Sequence, residues 1–458
     1  MENEILESTL EEILELIELK KFGAVKQIII NMNGVDIAAL FDEFPAEVQL
    51  RIFRLLPKEL AAEAFVEFDS DLQEKLIKGF SDKELREVIS EMYADDAADI
   101  VEEMPANVVK RILKQADPEM RMDINQLLKY PEDSAGSVMT TEFFDLKQTL
   151  SVEEALQDIR KTGIEKETVN TCYVTTSDRV LLGTVSLRTL IISSPNKELS
   201  ELMEINPISV TTDVDRETVA KTFNKYGLLS LPVVDTENRL VGIVTVDDVL
   251  EVIEEEVTED IVKMAAITPN DKTYFKTGVF ETFKVRFPWL LLLMISGTFT
   301  GLIISGFESR LTLFPALIAF IPMLMGTAGN SGGQSSATII RAISLEEVDY
   351  ADVFKVIWKE IRVAFFCGLI LAVVNFAKIW LIDIIIFGST ATLMDNFIVS
   401  ATILLTVMVA KCVGSFLPMF AHKIGLDPAV IASPIITTAV DIIVLIIYFG
   451  LATLFLGI

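Results

Sequence analysis

Beyond Phe287 the chain carries five long stretches almost free of charge. Phe287–Phe307 is 21 residues without a charged side chain, and Leu311–Ile340 is 30. Val363–Phe387 holds only Lys378 and Asp383, Phe397–Ala421 only Lys411, and Ala429–Ile458 only Asp441. About 20 apolar residues in helical form cross a bilayer core, where every backbone N–H and C=O must be satisfied within the helix. The pattern predicts five membrane-spanning helices. Basic residues set their direction. Lys284 and Arg286 precede the first span, and Arg341, Lys355, Lys359 and Arg362 lie between the second and third. Lys411 and Lys423 flank the link from the fourth to the fifth. The link GSTATLMDN between the third and fourth has no Lys or Arg. This places residues 1–286 in the cytosol and the C-terminus outside a plasma membrane.

The remaining sequence is of another kind. Residues 271–458 hold 12 acids and 12 bases, whereas residues 1–270 hold 55 acids and 27 bases, which accounts for the whole net charge of −28. An acidic soluble region disfavours nucleic acid, whose phosphates need a basic footprint, and suits a region that meets cations. No basic n-region with an apolar core opens the chain, so no secretory signal is expected. Cys172, Cys367 and Cys412 form no C-x-x-C pair and read as reduced, buried thiols. His422 is the only histidine, which leaves little for a His-based zinc site.

Residues 36–116 repeat with a period of 12: DIAALFDEF, PAEVQLRIFRLL, PKELAAEAFVEF, DSDLQEKLIKGF, SDKELREVISEM, YADDAADIVEEM and PANVVKRILKQA. Each unit opens on Pro, Asp, Ser or a nearby acid and closes on an apolar anchor, which predicts a stack of short helices. Residues 139–258 read as two copies of one α/β unit. Ser151 pairs with Asp215 and Gly163 with Gly227, both 64 apart, while Gly183 pairs with Gly242, 59 apart. Each copy has a helix, two β-rich runs around a polar turn, and a closing helix. DDVLEVIEEEVTED, residues 247–260, follows with eight acids and no base. Its apolar side predicts a helix that its like charges oppose until cations neutralise them.

Two membrane motifs carry chemistry. A carboxylate in mid-bilayer costs about 2.5 kcal/mol or more, so Asp441 should face a polar cavity or a cation. Ser433 and Thr437 lie eight and four residues before it, on one helical face, and Pro434 frees a carbonyl beside them. Such an all-oxygen stripe suits a hard cation, Mg2+ or Ca2+; a helix tie or a proton relay are the alternatives. The second span holds GTAGNSGGQSSATIIR, residues 326–341, whose small residues allow close packing and whose amides can line a wet path.

The order of helical repeats, CBS pair, acidic helix and five spans resembles the MgtE family of magnesium channels over essentially the whole length. The motifs that carry the resemblance are GTAGNSGGQSSATIIRA, LDPAVIASPIITTAVD, LVGIVTVDDVL with VTEDI, and PEDSAGSVM. It implies a multidomain membrane protein. Residues 1–130 form an all-α superhelical N-domain, and 131–200 and 201–250 a tandem α/β CBS pair. Residues 251–278 are an acidic connecting or plug helix, and 279–458 a five-helix transmembrane domain. The family's function implies a homodimer with the pore on its two-fold axis. Asp441 matches the pore carboxylate, with Ser433 and Thr437 lining the pore nearby. Asp213, Asp215, Asp247, Asp248, Glu251, Glu256, Glu259 and Asp260 match the acids through which intracellular Mg2+ closes the channel. Some relatives bind ATP in the CBS pair. Here Thr245 and Asp248 keep a Thr-x-x-Asp pattern that can hold a ribose, while the first copy has Ser186 and Thr189 at those positions. Three places depart from the family pattern: Gly333, Lys411 in the fourth span, and the bulk of Ile442–Val444 after Asp441.

The expected function is a Mg2+-selective, Mg2+-gated channel, with no covalent chemistry and no P-loop. Two rivals are a proton- or Na+-coupled divalent-cation exchanger that uses Asp441 as the coupled carboxylate, and a membrane-anchored nucleotide sensor.

Overall fold

The computed structural model describes residues 2–269, 274, 277–311, 314–386, 391–431 and 433–457. The chain divides into two compact units, Met1–Glu254 and Glu255–Ile458.

The first unit begins with short helices that follow the 12-residue period: Gly34–Phe41, Ala46–Phe53, Lys58–Val66, Ser70–Gly79, Asp82–Ile89, Ala94–Glu103 and Ala106–Gln115. Helices of eight to ten residues are marginal alone, so their stability comes from shared apolar faces. Of the anchors that close the units, Phe44, Phe68, Phe80, Met92, Met104 and Ala116 are buried and Leu56 is half-buried. Asp69 caps its helix through Leu72 N–H, and Ser81 makes a reciprocal capping box with Glu84. The prolines Pro45, Pro57 and Pro105 sit one residue outside the helix, at the N-cap, rather than in its first turn. The repeat extends to the polar bonds. Buried Gln49 donates to the Phe41 carbonyl at 2.8 Å, and Gln73, two repeats later, donates to the Phe65 carbonyl at 3.0 Å.

Two small sheets follow. Strands β1 (Asp145–Lys147), β2 (Thr171–Thr175), β3 (Leu181–Ser186) and β4 (Glu204–Ile205) form one sheet in that order. Strands β5 (Val210–Thr211), β6 (Ser230–Val234) and β7 (Leu240–Thr245) form the other. Their registers repeat. β1 pairs parallel with β2 as β5 does with β6; Gly183 faces Val174 as Gly242 faces Val233, and each hairpin bulges one residue later. The copies meet through Leu181 N–H to the Asn238 carbonyl, Leu240 N–H to the Arg179 carbonyl, and the Tyr173–Ser230 hydroxyl pair at 2.7 Å. Cys172 is buried in β2. The acidic helix runs Val246–Met264, directly out of β7.

The second unit contains the long helices Val279–Leu311, Ile321–Ser344, Val353–Lys378, Leu393–Lys423 and Ser433–Leu456, here spans one to five. Spans one, three, four and five are apolar and long enough to cross a membrane. The expected 30-residue second stretch is instead a short helix, Pro315–Ile318, followed by the 24-residue span two. Pro315 and Pro322 each start a helix there, and the polar run makes span two less apolar than its neighbours. Span three continues as a π-helix, Ile379–Ile386, where Lys378 reaches Asp383, five residues on, at 2.8 Å. The expectation of buried membrane thiols is corrected in part: Cys367 is exposed on span three, and Cys412 is half-buried.

Candidate metal centres

In the second unit, spans two and four cross backbone to backbone. A Cβ on Gly414 would collide with the carbonyl oxygen of Gly332. The same face of span two meets span five: a Cβ on Gly329 would lie 3.2 Å from Thr437, and one on Gly332 3.2 Å from Ile436. Small residues thus bring span two against the turn that precedes Asp441. Asp441 and Thr437 stand one turn apart on span five, both half-buried. The buried Oδ1 of Asp441 has no hydrogen-bond partner among the described residues. Ser433 is the first residue of span five; its side chain, with that of Pro434, lies outside the described residues. Ile442 and Ile443 are half-buried and Val444 is buried.

The buried face of span two carries Ala328, Ser331, Gly332, Ser335 and Ser336. Its opposite face exposes Gly326, Asn330, Gln334 and Thr338 at helical spacing. A bilayer gives those amides no partner, so a stripe of this kind requires water or protein against it.

In the first unit, the second cluster joins three segments distant in sequence. Asp95, Asp96 and Asp99 come from the Ala94–Glu103 helix, Glu142 and Glu167 from the first CBS copy, and Asp248 and Glu251 from the acidic helix. Burial raises the Asp95 carboxyl well above the usual range, and Asp96, Asp248, Glu142 and Glu167 raise it further. Desolvation, then Asp248, Glu67 and Glu142, push Asp96 up to about 6. Asp99 rises to about 7 from desolvation and then Asp96, Glu102, Glu251 and Asp248, and Glu167 to about 7 from desolvation and then Asp248, Asp247, Asp96 and Glu142. The buried Oδ1 of Asp95 has no hydrogen-bond partner among the described residues. Carboxylates gathered in this way raise one another's proton affinity, although among the described residues no three acids, cysteines or histidines stand close enough together to hold a metal ion.

The eight acids expected to sense Mg2+ are therefore divided. Asp248 and Glu251 join the cluster, and Asp247 acts on Glu167 within it. Asp213 is an exposed acceptor for the Thr211 hydroxyl, which lowers its pKa, and Asp215 caps its helix at Glu217 N–H. Glu256, Glu259 and Asp260 belong to the second unit. There Lys263 bridges Glu259 at 2.6 Å and Asp427, just before span five, at 2.8 Å.

Asp95, Asp96, Asp99, Glu142 and Glu167 were not among the sites expected from sequence. One signal was available: YADDAADIVEEM alone among the full 12-residue units has no Lys or Arg.

The Thr245–Asp248 pair is turned on itself, with the Thr245 N–H and hydroxyl both donating to Asp248 Oδ2. A cleft of about 370 Å3 lies elsewhere in the CBS pair, lined by Thr171, Thr184, Ser186, Thr189, Glu204 and Ser230 among others. Neither Thr245 nor Asp248 lines it.

Family models match three segments: a divalent cation transporter domain over residues 321–451, an MgtE intracellular N domain over 32–133, and a CBS domain over 199–255. The magnesium transporter MgtE of Thermus thermophilus is 35% identical over 94% of this chain and 95% of its own length. That of Bacillus subtilis is 33% identical over 97% and 98%. Among solved structures, the cytosolic domain of the Mg2+ channel MgtE in complex with ATP is similar at 35% identity and a TM-score of 0.51. The match covers 53% of this chain and 99% of that one.

Proposed function

Because the chain belongs to the MgtE family of magnesium transporters, we propose that it is a Mg2+ channel of the plasma membrane that intracellular Mg2+ closes. The observation that carries the gating half is the seven-carboxylate cluster around Asp95, Asp96 and Asp248. Without cations its charges repel and the contact between the helical repeats, the first CBS copy and the acidic helix is strained. With Mg2+ the same contact is clamped. Glu256, Glu259 and Asp260 extend the same acidic helix and join the response, and Asp213 and Asp215 are assigned the weaker outer sites.

Asp441 is the pore carboxylate, with Thr437 and Ser433 on its approach. Mg2+ sheds water reluctantly and prefers an octahedral shell, so a site that holds the hydrated ion discriminates by size. A homodimer supplies the second Asp441 and covers the exposed amides of Asn330 and Gln334. The N-terminal unit and CBS pair face the cytosol and the C-terminus the outside. Inward flow is driven by the membrane potential, about 4.6 kcal/mol for a divalent ion at 100 mV.

Mg2+ flux into proteoliposomes tests both halves. Asp441→Ala should abolish uptake, and deletion of residues 1–270 should leave uptake that internal Mg2+ no longer inhibits. Normal flux in Asp441→Ala removes the pore assignment, and retained inhibition in the deletion removes the sensing assignment. Uptake that collapses when a proton or Na+ gradient is dissipated at constant voltage supports an exchanger instead.

Nucleotide binding is a second reading, favoured by the CBS cleft and by the ATP held by the related cytosolic domain. The cleft offers hydroxyls for a ribose, but none of its lining residues is Lys or Arg to meet phosphates. Calorimetric titration with ATP and with adenosine separates the two: adenosine should bind at least as well.

A further inference from the structure

Lys411 is a full positive charge inside the membrane unit, only 6% exposed. It lies 18 residues from the start of span four and 12 from its end, about 27 and 18 Å along the axis. The chain keeps the charge in place by internal partners. Lys411 Nζ donates to Ser335 Oγ of span two at 3.2 Å, and Ser335 Oγ donates to Glu360 Oε2 of span three at 2.7 Å. The three groups sit beside the Gly332–Gly414 crossing, where spans two and four touch through backbone. Ser335 adjoins Gln334, which belongs to the opposite, exposed stripe of the same helix.

We infer that Lys411, Ser335 and Glu360 are positioning residues for ion conduction: the relay fixes the rotation of span two against spans three and four, and so the direction in which Asn330 and Gln334 point. Glycine packing alone sets how closely the helices approach, and leaves a smooth surface over which span two can turn. A charged relay through a short hydroxyl has one geometry. Turning span two by even one residue would carry the Ser335 hydroxyl away from both the Lys411 ammonium and the Glu360 carboxylate and so break the relay. The relay rests only on the family's transport of Mg2+ and is independent of the gating proposal.

The test is initial Mg2+ uptake by full-length protein in proteoliposomes at low internal Mg2+, so that closure does not enter. The variants are Lys411→Met, Glu360→Gln, the double variant, Ser335→Ala and Lys411→Arg, with Asp441→Ala as the pore control. Ser335→Ala removes the central hydroxyl with little change in volume, and it decides the matter if the charge variants do not fold. Each single break should lower maximal uptake about tenfold, within the range for coupled neighbours. The external Mg2+ giving half-maximal uptake should stay within about twofold, because the ion site itself is untouched. The double variant should lose no more than either single one, and Lys411→Arg should recover uptake to within about threefold of wild type. Wild-type uptake in Ser335→Ala, or a double variant whose loss is the product of the single losses, overturns the relay. A shift in half-saturation in place of maximal uptake overturns it as well. A failure of Asp441→Ala to reduce uptake bears on the pore assignment alone.

Discussion

Asp96→Asn should make the metal-free soluble unit more stable, although it removes a charge from a site proposed to bind metal. In the folded unit the carboxyl is raised from 3.8 to about 6. A shift of about two units corresponds to about 3 kcal/mol for holding the charged form at neutral pH. That figure is an upper value, since the empty cluster can spread and relieve itself, so about 1–3 kcal/mol is expected. The sign follows from linkage. A carboxyl whose folded pKa is raised contributes stability below its unfolded pKa, near 4, and loses it as pH rises through the folded value. For Asp96, Asp99 and Glu167 that window runs from about 4 to about 7. At pH 7.5 the cost is therefore fully present, and the neutral amide removes one share of it.

Thermal unfolding of residues 1–270 at pH 7.5, with chelator and with millimolar Mg2+, measures this directly. A related cytosolic domain has been solved as a separate fragment of this extent. For about 250 residues, 1 kcal/mol moves the midpoint by roughly 2–4 °C, so Asp96→Asn should raise the metal-free midpoint by roughly 2–12 °C. The rise on adding Mg2+ should shrink by a similar amount. Metal-free wild type should also become more stable as pH falls from 7.5 to 5.5, and Mg2+ should flatten that dependence. A lower metal-free midpoint for Asp96→Asn, or an undiminished gain from Mg2+, would refute the reasoning.

Two further perturbations bear on the membrane unit. Gly414→Ala should destabilise the detergent-solubilised protein by about 1–3 kcal/mol, because the new methyl meets the Gly332 carbonyl. Gly333→Ala, with nothing within 4 Å of its added carbon, should stay within about 0.5 kcal/mol, and equal midpoints for the two would show that the crossing is not tight. Lys263→Met frees Glu259 and Asp427 from the half-buried ammonium. The internal Mg2+ needed for half-closure should fall by up to about fivefold, the size of one modest ion pair; a rise would show that the lysine, and not a metal, holds the closed state.

The elements were more legible in the sequence than the sites. A period of 12 and a duplicated Gly–Gly hairpin are local patterns, and the structure repeats them down to Gln49 and Gln73 and to the bulges after Val174 and Val233. The acid cluster was only partly legible. Asp248 and Glu251 stood out in a run of eight acids, but Asp95 and Glu167 owe their roles to approach between distant segments, which no local pattern encodes. Thr245 and Asp248 show the opposite case: a familiar spacing that, once folded, closes on itself through the helix N-terminus. Lys411 was visible only as a misfit. Its meaning depends on Ser335 and Glu360, which are 76 and 51 residues away.

Taken with its neighbours, Lys411 also explains why Asp441 stands apart. In the membrane unit several of the other carboxylates are answered by the chain itself. Asp383 meets Lys378 at 2.8 Å, Asp427 meets Lys263, Asp352 meets Lys355, and Glu360 reaches Lys411 through Ser335. Asp395 turns one oxygen to Thr392 in the first turn of span four, where the helix dipole favours an anion, while its buried Oδ1, like that of Asp441, has no described partner. Twelve bases balance 12 acids over residues 271–458, yet Asp441 has no ion pair with a described Lys or Arg, and its buried Oδ1 has no described donor. Asp441 thus stands in the packed centre of span five with no described lysine or arginine against it, an arrangement that a passing cation would complete.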